Sequence, residues 1–319
     1  MSEVIAKITN AHNGAGIWAL DWHNNLLLTG SMSTSATPLK LWTLPSGTTD
    51  LQALTDLTAP NTGATHLLGI TAARFSRTDA LAATASLDGT LRLWDLSAPR
   101  APLLRGSAAA GPAGALCLAL DPRGHFVATA GRGGKVALWR ASDAEGEGSW
   151  EVSSGGVNYV TSLGCNKAND VIGCGSSSGN IYLFSVEKKS VLNGNGFSSH
   201  SKTVRKVVFS EDGNLMFSAG DDGLVNVHDV RINGSNGVVA TYGGHKGKVL
   251  SVAVTEDGAM CATGGSDGVV KVWDARASWK ERKALYEHKD SVWDLAFSED
   301  KTMLASVSDD GVLIAYSTN

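Results

Sequence analysis

Several patterns that would indicate a catalytic, metal-binding or membrane protein are missing from this sequence. Its four cysteines (Cys117, Cys165, Cys174, Cys261) form no CxxC pair, no His or Cys cluster has zinc-ligand spacing, and no glycine-rich phosphate loop leads into a helix. No apolar run approaches the roughly 20 residues of a membrane span, and the first residues lack a signal-peptide pattern. We therefore expect an intracellular, soluble protein with buried free thiols and no cofactor.

Proline and net charge are also scarce. The 319 residues include only seven prolines but 37 glycines, and the formal net charge is -4. A charge this small gives no general attraction to nucleic acid or to an anionic membrane. Abundant glycine with little proline suits a chain that turns often, and the 43% hydrophobic content is ample for a core.

What the sequence does contain is an internal repeat. Residues 263–274 read as two strands that are joined by a Ser-Asp-Gly turn and end in Trp-Asp. Thr263 lies 18 residues after His245, Asp267 lies 22 residues after it, and Trp273 lies 28 residues after it. The same three spacings occur in three further sets: His66, Thr84, Asp88 and Trp94; His200, Ser218, Asp222 and His228; His288, Ser306, Asp310 and Tyr316. A register that recurs four times indicates a repeat protein.

With looser copies included, the strand-end aromatic position is occupied at residues 42, 94, 139, 184, 228, 273 and 316. Seven units of four strands predict an all-β, seven-bladed β-propeller that forms one domain over residues 1–319. The last unit ends after its third strand, so the N-terminal segment is expected to supply the missing outer strand and close the ring. The predicted blades are approximately 11–57, 58–104, 105–150, 151–194, 195–239, 240–282, and 283–319 completed by 3–9.

The Pro- and Ala-rich Ala98–Gly114 reads as a link from blade 2 to blade 3, and the acidic, Gly-containing Ser142–Ser149 reads as an exposed loop. In blades 5 to 7 the first strand is followed by a polar turn. These turns are Glu211-Asp212-Gly213, Glu256-Asp257-Gly258 and Glu299-Asp300-Lys301.

The repeated His, Ser/Thr and Asp invite comparison with a hydrolase triad. A triad needs one activated nucleophile and an oxyanion hole, whereas this set occurs four times with an aromatic partner. Repetition is what a structural hydrogen-bond network requires, with the imidazole between the Asp and the hydroxyl and the indole N–H as a further donor. We therefore interpret these residues as structural and predict no enzyme.

The remaining candidates lie on the surface. The residue five after each His, on the inner strand, and the residue before each turn Asp should face the same end of the ring. We predict a protein-binding hot spot there, formed by Trp18, Trp293, Leu250, Arg205, Asp221, Asp309 and Leu87. The alternative is that both indoles fill blade cores, but Ile17 and Val292 are the better core residues, and alternation turns Trp18 and Trp293 away from them.

These motifs resemble WD40 repeats over nearly the whole chain. Ile-Trp-Ala-Leu-Asp-Trp at 17–22, Val-Asn-Val-His-Asp at 225–229 and Ser-Val-Trp at 291–293 further resemble one subfamily. It is the WD-repeat subunit of the superkiller (Ski) complex, which animals and plants share with the polymerase-associated factor (Paf) complex. The chain departs from that subfamily most in blades 3 and 4, where Leu116 stands in place of a bulkier aromatic residue.

The resemblance implies a non-catalytic adaptor that is both cytoplasmic and nuclear. In the Ski complex it would bind a tetratricopeptide scaffold and an RNA helicase that feed mRNA to the exosome for 3′-to-5′ decay. In the Paf complex it would bind elongation-complex subunits that promote histone modification. It implies partner segments bound on the narrow face of the ring, and no direct contact with nucleic acid or membrane.

A second interpretation is a recognition subunit, either the substrate receptor of a ubiquitin ligase or a histone-tail reader. A phosphopeptide reader would need several converging Arg or Lys, and the ring face offers Arg132, Arg205 and Lys248. A methyl-lysine reader would need an aromatic cage, which Trp18 and Trp293 form with Tyr159 only if the three cluster.

Overall fold

The computed structural model describes residues 4–32, 38–44, 51–57, 66–110, 115–152, 159–166, 171–194, 196–231, 237–275 and 278–318. These residues form seven antiparallel sheets and no α-helix, so within them no helix is long and apolar enough to cross a membrane. The prediction of an all-β, seven-bladed propeller is confirmed.

The strands follow the chain from the channel outward in each blade. The N-terminal strand is β1 (Val4–Ile8). Blade 1 is β2 (Ile17–His23), β3 (Leu26–Ser31), β4 (Leu39–Thr43) and β5 (Gln52–Asp56). Blade 2 is β6 (Ile70–Phe75), β7 (Leu81–Ser86), β8 (Thr90–Asp95) and β9 (Leu103–Ala109). Blade 3 is β10 (Cys117–Leu120), β11 (Phe126–Ala130), β12 (Lys135–Arg140) and β13 (Gly146–Glu151).

Blade 4 carries five strands, and the remaining blades follow the common plan. Blade 4 is β14 (Val160–Asn166), β15 (Val171–Ser176), β16 (Asn180–Ser185), β17 (Ser190–Val191) and β18 (Phe197–Ser198). Blade 5 is β19 (Val204–Phe209), β20 (Leu215–Gly220), β21 (Leu224–Asp229) and β22 (Val238–Gly243). Blade 6 is β23 (Val249–Val254), β24 (Met260–Gly265), β25 (Val270–Asp274) and β26 (Lys280–Leu285). Blade 7 is β27 (Val292–Phe297), β28 (Met303–Ser308) and β29 (Leu313–Ser317).

The ring closes through β1, which pairs antiparallel with β29 as the outer strand of blade 7. Val4 lies opposite Tyr316, and its side chain packs against the core between blades 6 and 7. Ile8 packs against the core between blades 7 and 1. The inner strands β2, β6, β10, β14, β19, β23 and β27 each contact the next, and β27 contacts β2. The closure expected from the truncated last unit is therefore confirmed.

The outer strands are where the sequence interpretation was wrong. The predicted link Ala98–Gly114 contains the strand β9, and the predicted exposed loop Ser142–Ser149 overlaps the strand β13. The predicted blade boundaries after residues 104, 150, 239 and 282 cut through β9, β13, β22 and β26. These strands are largely exposed, and each has a bulge opposite the strand-end aromatic position, which breaks the period-two alternation that marks a strand in sequence.

Blade 4 has a divided outer strand, so the predicted boundary at 194/195 also falls inside its sheet. β17 pairs with one end of β16 and β18 with the other. Between them the Asn193 side chain accepts a hydrogen bond from Leu183 N at 2.9 Å and donates one to Ile181 O at 3.0 Å. An amide side chain thus satisfies backbone groups that a continuous strand would have paired.

The repeated polar residues form links that tie together the strands and loop of the blades that carry them. In blade 6, Trp273 Nε1 donates to Thr263 Oγ1 at 2.9 Å, His245 Nε2 lies 2.8 Å from the same oxygen, and His245 Nδ1 lies 3.0 Å from Asp267. His200, Ser218 and Asp222 in blade 5 and His288, Ser306 and Asp310 in blade 7 have the same contacts, and Tyr316 replaces the indole at 3.5 Å from Ser306. In blade 1 the His12 and Trp42 side chains both contact the Thr29 hydroxyl, as in blade 6, but the turn has no Asp.

Blade 2 differs from this scheme in one contact. His66 Nε2 and Trp94 Nε1 both meet Thr84 Oγ1, at 2.8 and 2.9 Å, but His66 Nδ1 is 3.7 Å from Asp88. The Thr90 hydroxyl lies between them, 2.9 Å from His66 Nδ1 and donating to Asp88 at 2.6 Å. A second hydroxyl therefore connects the imidazole to the carboxylate in this blade.

Blade 5 carries His228 in the tryptophan position, fully buried against Phe197. Its Nε2 lies 2.8 Å from Ser199 Oγ and 3.3 Å from Ser218 Oγ, while Nδ1 has no hydrogen-bond partner among the described residues. Burial, reinforced by the nearby His200, lowers the pKa of His228 to about 4. The imidazole therefore remains neutral near pH 7, as an indole would.

Deletion of residues 1–10 should destabilise the whole ring rather than one edge. β1 supplies four paired positions to β29, and its side chains belong to the cores on both sides of blade 7. At roughly 1 kcal/mol per hydrogen bond, the free energy of unfolding should fall by about 3 kcal/mol or more. Urea unfolding followed by tryptophan fluorescence measures this, with deletion of residues 1–3 as the control. An unchanged midpoint after the longer deletion would contradict the closing role of β1.

His228 should make the propeller sensitive to mild acid. Its pKa in the folded chain lies below the ordinary value of 6.5, so its contribution to stability is complete above pH 6.5 and is lost as the pH falls toward 4. The His228→Phe variant should reduce the loss of unfolding free energy between pH 7.5 and 4.5 by about 2 kcal/mol. His125→Gln, which removes an exposed histidine, serves as the control. Identical pH profiles for wild type and His228→Phe would refute the prediction.

Candidate protein-binding face

A β-bulge near the start of the inner strand places the candidate binding residues. In six blades one residue has no partner in the register, so the strand bends and its side chain is redirected. The bulged residues are Trp18, Thr71, Thr161, Arg205, Leu250 and Trp293. In blade 3, Leu116 directly precedes β10.

These seven residues converge on one end of the central channel, where they line a cavity of about 240 Å³. We call this end of the ring the Trp face. Leu87, from the turn of blade 2, lines the same cavity. Asp221 and Asp309, also predicted for this face, each contact a residue that lines the cavity.

Trp18 and Trp293 stack on each other, with ring centroids 4.7 Å apart and planes inclined by 29°. Trp18 Nε1 donates to Asp309 Oδ1 at 2.7 Å, which fixes the ring. Gly16 allows this approach, because a Cβ at that position would lie 2.5 Å from the same oxygen. Trp293 Nε1 has no hydrogen-bond partner among the described residues. Ile17 and Val292 are fully buried in the blade cores.

Arg205 is less available than a hot-spot residue would be. Its Nε and Nη2 donate to the two carboxylate oxygens of Asp221, each at 2.7 Å. Burial raises the pKa of the Asp221 carboxyl, but the hydrogen bonds and charge of Arg205 outweigh it and leave the pKa lowered. Lys248 Nζ lies 3.6 Å from the same carboxylate. Arg205 therefore enters a partner interface as one member of an ion pair that is already formed.

Leu250 is a wall of the cavity rather than an exposed contact, since only 5% of its surface is accessible. The neighbouring blades cover it because the bulge points it into the narrow channel. Leu87 and Leu116 are 42% and 36% exposed and are open to a partner. The Thr71 hydroxyl donates to Ala115 O at 2.8 Å, which ties blade 2 to blade 3.

The aromatic cage of a methyl-lysine reader does not form here. Trp18 and Trp293 cover one another's faces, and Tyr159 does not line the cavity. Cage recognition depends on several ring faces turned toward one cation. The stacked pair instead offers a broad apolar surface.

The floor of the cavity is a buried cluster of charges that joins blades across the channel. Asp294, only 3% exposed, accepts hydrogen bonds from Lys206 Nζ at 2.8 Å, Arg74 Nη1 at 3.3 Å and Ser251 Oγ at 3.1 Å. These groups come from blades 7, 5, 2 and 6. The backbone N–H of Leu20 in blade 1 donates to the same carboxylate at 3.1 Å. We call Arg74, Lys206 and Asp294 the channel cluster.

The charges of the channel cluster favour the ionised forms of Asp294 and Arg74. Burial raises the pKa of the Asp294 carboxyl, but the charges of Lys206 and Arg74 more than offset this and leave the pKa lowered. Burial and the charge of Arg74 lower the pKa of Lys206, while Asp294 opposes the change. A buried carboxylate is tolerated because several donors satisfy it.

Reasoning from the sequence missed the channel cluster. A signal was present, since Lys206 and Asp294 each stand six residues after the blade's His, and the strand residues that follow them, 207–209 and 295–297, are apolar. A charge at such a position must meet a partner across the channel. The sequence does not show which blades bring their side chains together at the level of Lys206 and Asp294 in the channel.

The described residues show little that is typical of metal or thiol chemistry. They contain no group of three or more His, Cys, Asp or Glu placed to hold a metal ion. Cys117, Cys174 and Cys261 are buried free thiols, and Cys165 is half-buried. Burial raises the pKa of the Cys117 and Cys261 thiols to about 12, so both remain protonated.

Removing the lysine of the channel cluster should destabilise the ring. Lys206→Met leaves Asp294 buried with one cation fewer, and breaking a buried pair of this kind costs about 3 kcal/mol. The matched control is Lys248→Met, which removes a half-exposed lysine 3.6 Å from Asp221 and should cost less than about 1 kcal/mol. Denaturant unfolding measures both. The double variant Lys206→Met/Asp294→Asn should recover part of the loss, and equal losses for the two single variants would contradict the prediction.

Comparison with known proteins agrees with this architecture. The family described as "WD domain, G-beta repeat" matches residues 61–95, 109–140, 192–229, 236–274 and 279–317. These five stretches fall mainly on blades 2, 3, 5, 6 and 7, and together they exceed half of the chain.

Three relatives show the extent of the similarity. WD repeat-containing protein SL1-17 of Schistosoma mansoni is 30% identical over 222 residues, covering 68% of this chain and 67% of that protein. WD repeat-containing protein VIP3 of Arabidopsis thaliana is 29% identical over 238 residues, covering 67% and 66%. Superkiller complex protein 8 of Dictyostelium discoideum is 33% identical over 93 residues, covering 28% and 27%. The chain thus spans about two thirds of the length of the first two relatives.

The resemblance to WD40 repeats is confirmed, and the relatives include a superkiller complex protein. WD-repeat propellers generally act as non-catalytic platforms on which other proteins assemble. The closed ring, the His–Ser/Thr–Trp links and the family match agree, and the chain belongs to the WD-repeat (WD domain, G-beta repeat) family.

Proposed function

We propose that this propeller is a scaffold subunit that binds a segment of a partner protein on its Trp face. The observation that carries the proposal is the convergence of seven inner-strand residues on one cavity, with Trp18 and Trp293 stacked at its edge. Stacked, partly exposed indoles that line the same cavity as Arg205 have the composition of a binding hot spot. The charged floor beneath them limits how deeply a partner side chain enters.

The proposed assembly is the Ski complex, where the partners would be a tetratricopeptide scaffold and an RNA helicase in exosome-linked mRNA decay. The short match to Superkiller complex protein 8 supports this choice. The Paf elongation complex is proposed as a second assembly, on the resemblance to the subfamily that both complexes share. Work in both complexes would place the protein in cytoplasm and nucleus.

A recognition subunit of a ubiquitin ligase or a histone-tail reader remains the alternative. The geometry favours it less, because Arg205 and Lys248 are already drawn to Asp221 and the Trp rings form no cage. A phosphate group on a partner would have to compete with an existing carboxylate. A general peptide-binding face requires neither feature.

The Trp18→Ala/Trp293→Ala variant should fold and lose its partners. Each residue has the character of a hot spot, whose truncation costs about 2 kcal/mol, so affinity should fall by about thirtyfold or more. The measurement is affinity purification of tagged wild type and variant, with quantitative mass spectrometry of the Ski and Paf subunits. Leu103→Ala/Val239→Ala, which removes two exposed apolar side chains elsewhere, is the matched control.

Trp18→Phe separates two contributions to the same site. It keeps an aromatic ring against Trp293 but loses the hydrogen bond to Asp309, and it should retain most of the binding.

If wild type recovers a ubiquitin ligase or histones instead, the proposed assemblies are wrong. If the Ski or Paf subunits survive the double alanine substitution, the scaffold function stands and the Trp face is not its site.

A further inference from the structure

Two adjoining cavities open at the opposite end of the channel from the Trp face. Their volumes are about 250 and 220 Å³, and both are lined by Phe209 and Val254. Phe75 adds to the wall of the first and Phe297 to that of the second. These phenyl rings end the inner strands of blades 2, 5 and 7 and form an apolar part of the wall, beside the charged side chains of Asp21, Arg77 and Lys206.

The repeated acidic turns of blades 5, 6 and 7 form the rim of these cavities. In each turn the Asp has a structural use, because it accepts hydrogen bonds from a hydroxyl and from a backbone N–H of its own turn. The donors are Ser210 and Asn214 for Asp212, Thr255 and Ala259 for Asp257, and Ser298 and Thr302 for Asp300. The turn geometry therefore explains the aspartates but not the glutamates that precede them.

The three glutamates lie along the cavities. Glu211 and Glu256 line the first, and Glu256 and Glu299 line the second. Glu211 and Glu256 are exposed; Glu211 already interacts with a neighbouring group, whereas Glu256 has no partner among the described residues. Glu299 lies 2.5 Å from His23 Nδ1. We call this end of the channel, with its phenyl wall and glutamate rim, the Glu mouth.

The charge of the Glu mouth is concentrated at its rim. The three turns carry six carboxylates and one lysine, Lys301, whose Nζ lies 3.1 Å from Asp257. Below the rim Arg77 donates to Asp21 at 2.9 Å, while Lys206 and Arg74 share the single carboxylate of Asp294, so these groups carry one excess positive charge. A cationic group is therefore attracted to the rim and repelled deeper in the channel.

We propose that the Glu mouth is a second docking surface, which takes a basic amphipathic segment of a partner protein. An apolar side chain of that segment packs against Phe209 and Phe297, and flanking Lys or Arg side chains meet Glu211 and Glu256. An acidic segment is repelled by the same rim, and a purely apolar one leaves the carboxylates unused.

The Glu mouth is independent of the Trp face. The inner strands are six or seven residues long in blades 5 and 1, which separates the two ends of the channel by about 20 Å. The buried channel cluster lies between them. One ring can therefore hold two different partners at once, and failure of one site leaves the other testable.

Fluorescence anisotropy with a defined probe tests the proposal. The probe is a short fluorescein-labelled peptide in which lysines flank a Leu-Phe pair, and its counterpart has Glu in place of Lys. The double variant Glu211→Gln/Glu256→Gln should weaken binding of the lysine probe by about fivefold, as expected for two partly exposed ion pairs. Added salt should weaken it further.

Two controls decide where the probe binds. Glu151→Gln/Glu187→Gln removes the same charge from exposed positions in blades 3 and 4 and should leave the affinity unchanged. Trp18→Ala/Trp293→Ala should also bind the probe normally. Equal weakening by the two glutamine variants, equal binding of the Glu counterpart, or loss of binding in the tryptophan variant would each overturn the proposal.

Discussion

A side-chain hydroxyl in the second strand is the group on which the blades depend. In blade 6 the Thr263 oxygen takes the indole N–H of Trp273 and meets His245 Nε2. When His245 Nδ1 donates to Asp267, the Nε2 of a neutral imidazole accepts the Thr263 O–H. Each donor in this series of hydrogen bonds then has one acceptor. The network fixes the loop from the preceding blade to two strands at once. Blade 4 has Cys174 and Phe184 instead, and it relies on apolar packing.

The channel cluster applies a second constraint, which acts across the ring rather than within a blade. Asp294 binds groups from four other blades, so its position depends on the ring being closed. The same charges lie between the cavity of the Trp face and the two cavities of the Glu mouth, whose walls differ. The end with the indoles is apolar with paired ions, and the end with the phenyl rings has an acidic rim. Two chemically different surfaces therefore follow from one buried carboxylate.

Sequence spacing was enough to predict the number of blades and the closing strand, because buried polar links tolerate little change in register. It also placed Trp18 and Trp293 at one end of the ring. The outer strands were predicted poorly, since bulges such as the one opposite Trp94 interrupt their alternation where burial is slight. Leu250 was assigned too much exposure, and the ion pair of Arg205 was not foreseen, because both depend on how closely adjacent blades approach in the channel.

The bulge at the start of the inner strands has a consequence for how such a surface changes over time. A residue in the middle of a sheet is restricted by the side chain opposite it on the next strand. The bulged residue has no residue opposite it on the next strand, so cross-strand packing does not restrict which amino acid stands there. Six blades repeat this arrangement, and in this chain the six positions hold Trp, Thr, Thr, Arg, Leu and Trp. The ring can thus acquire a new recognition surface by substitution at these points, while the strands that carry them keep their fold.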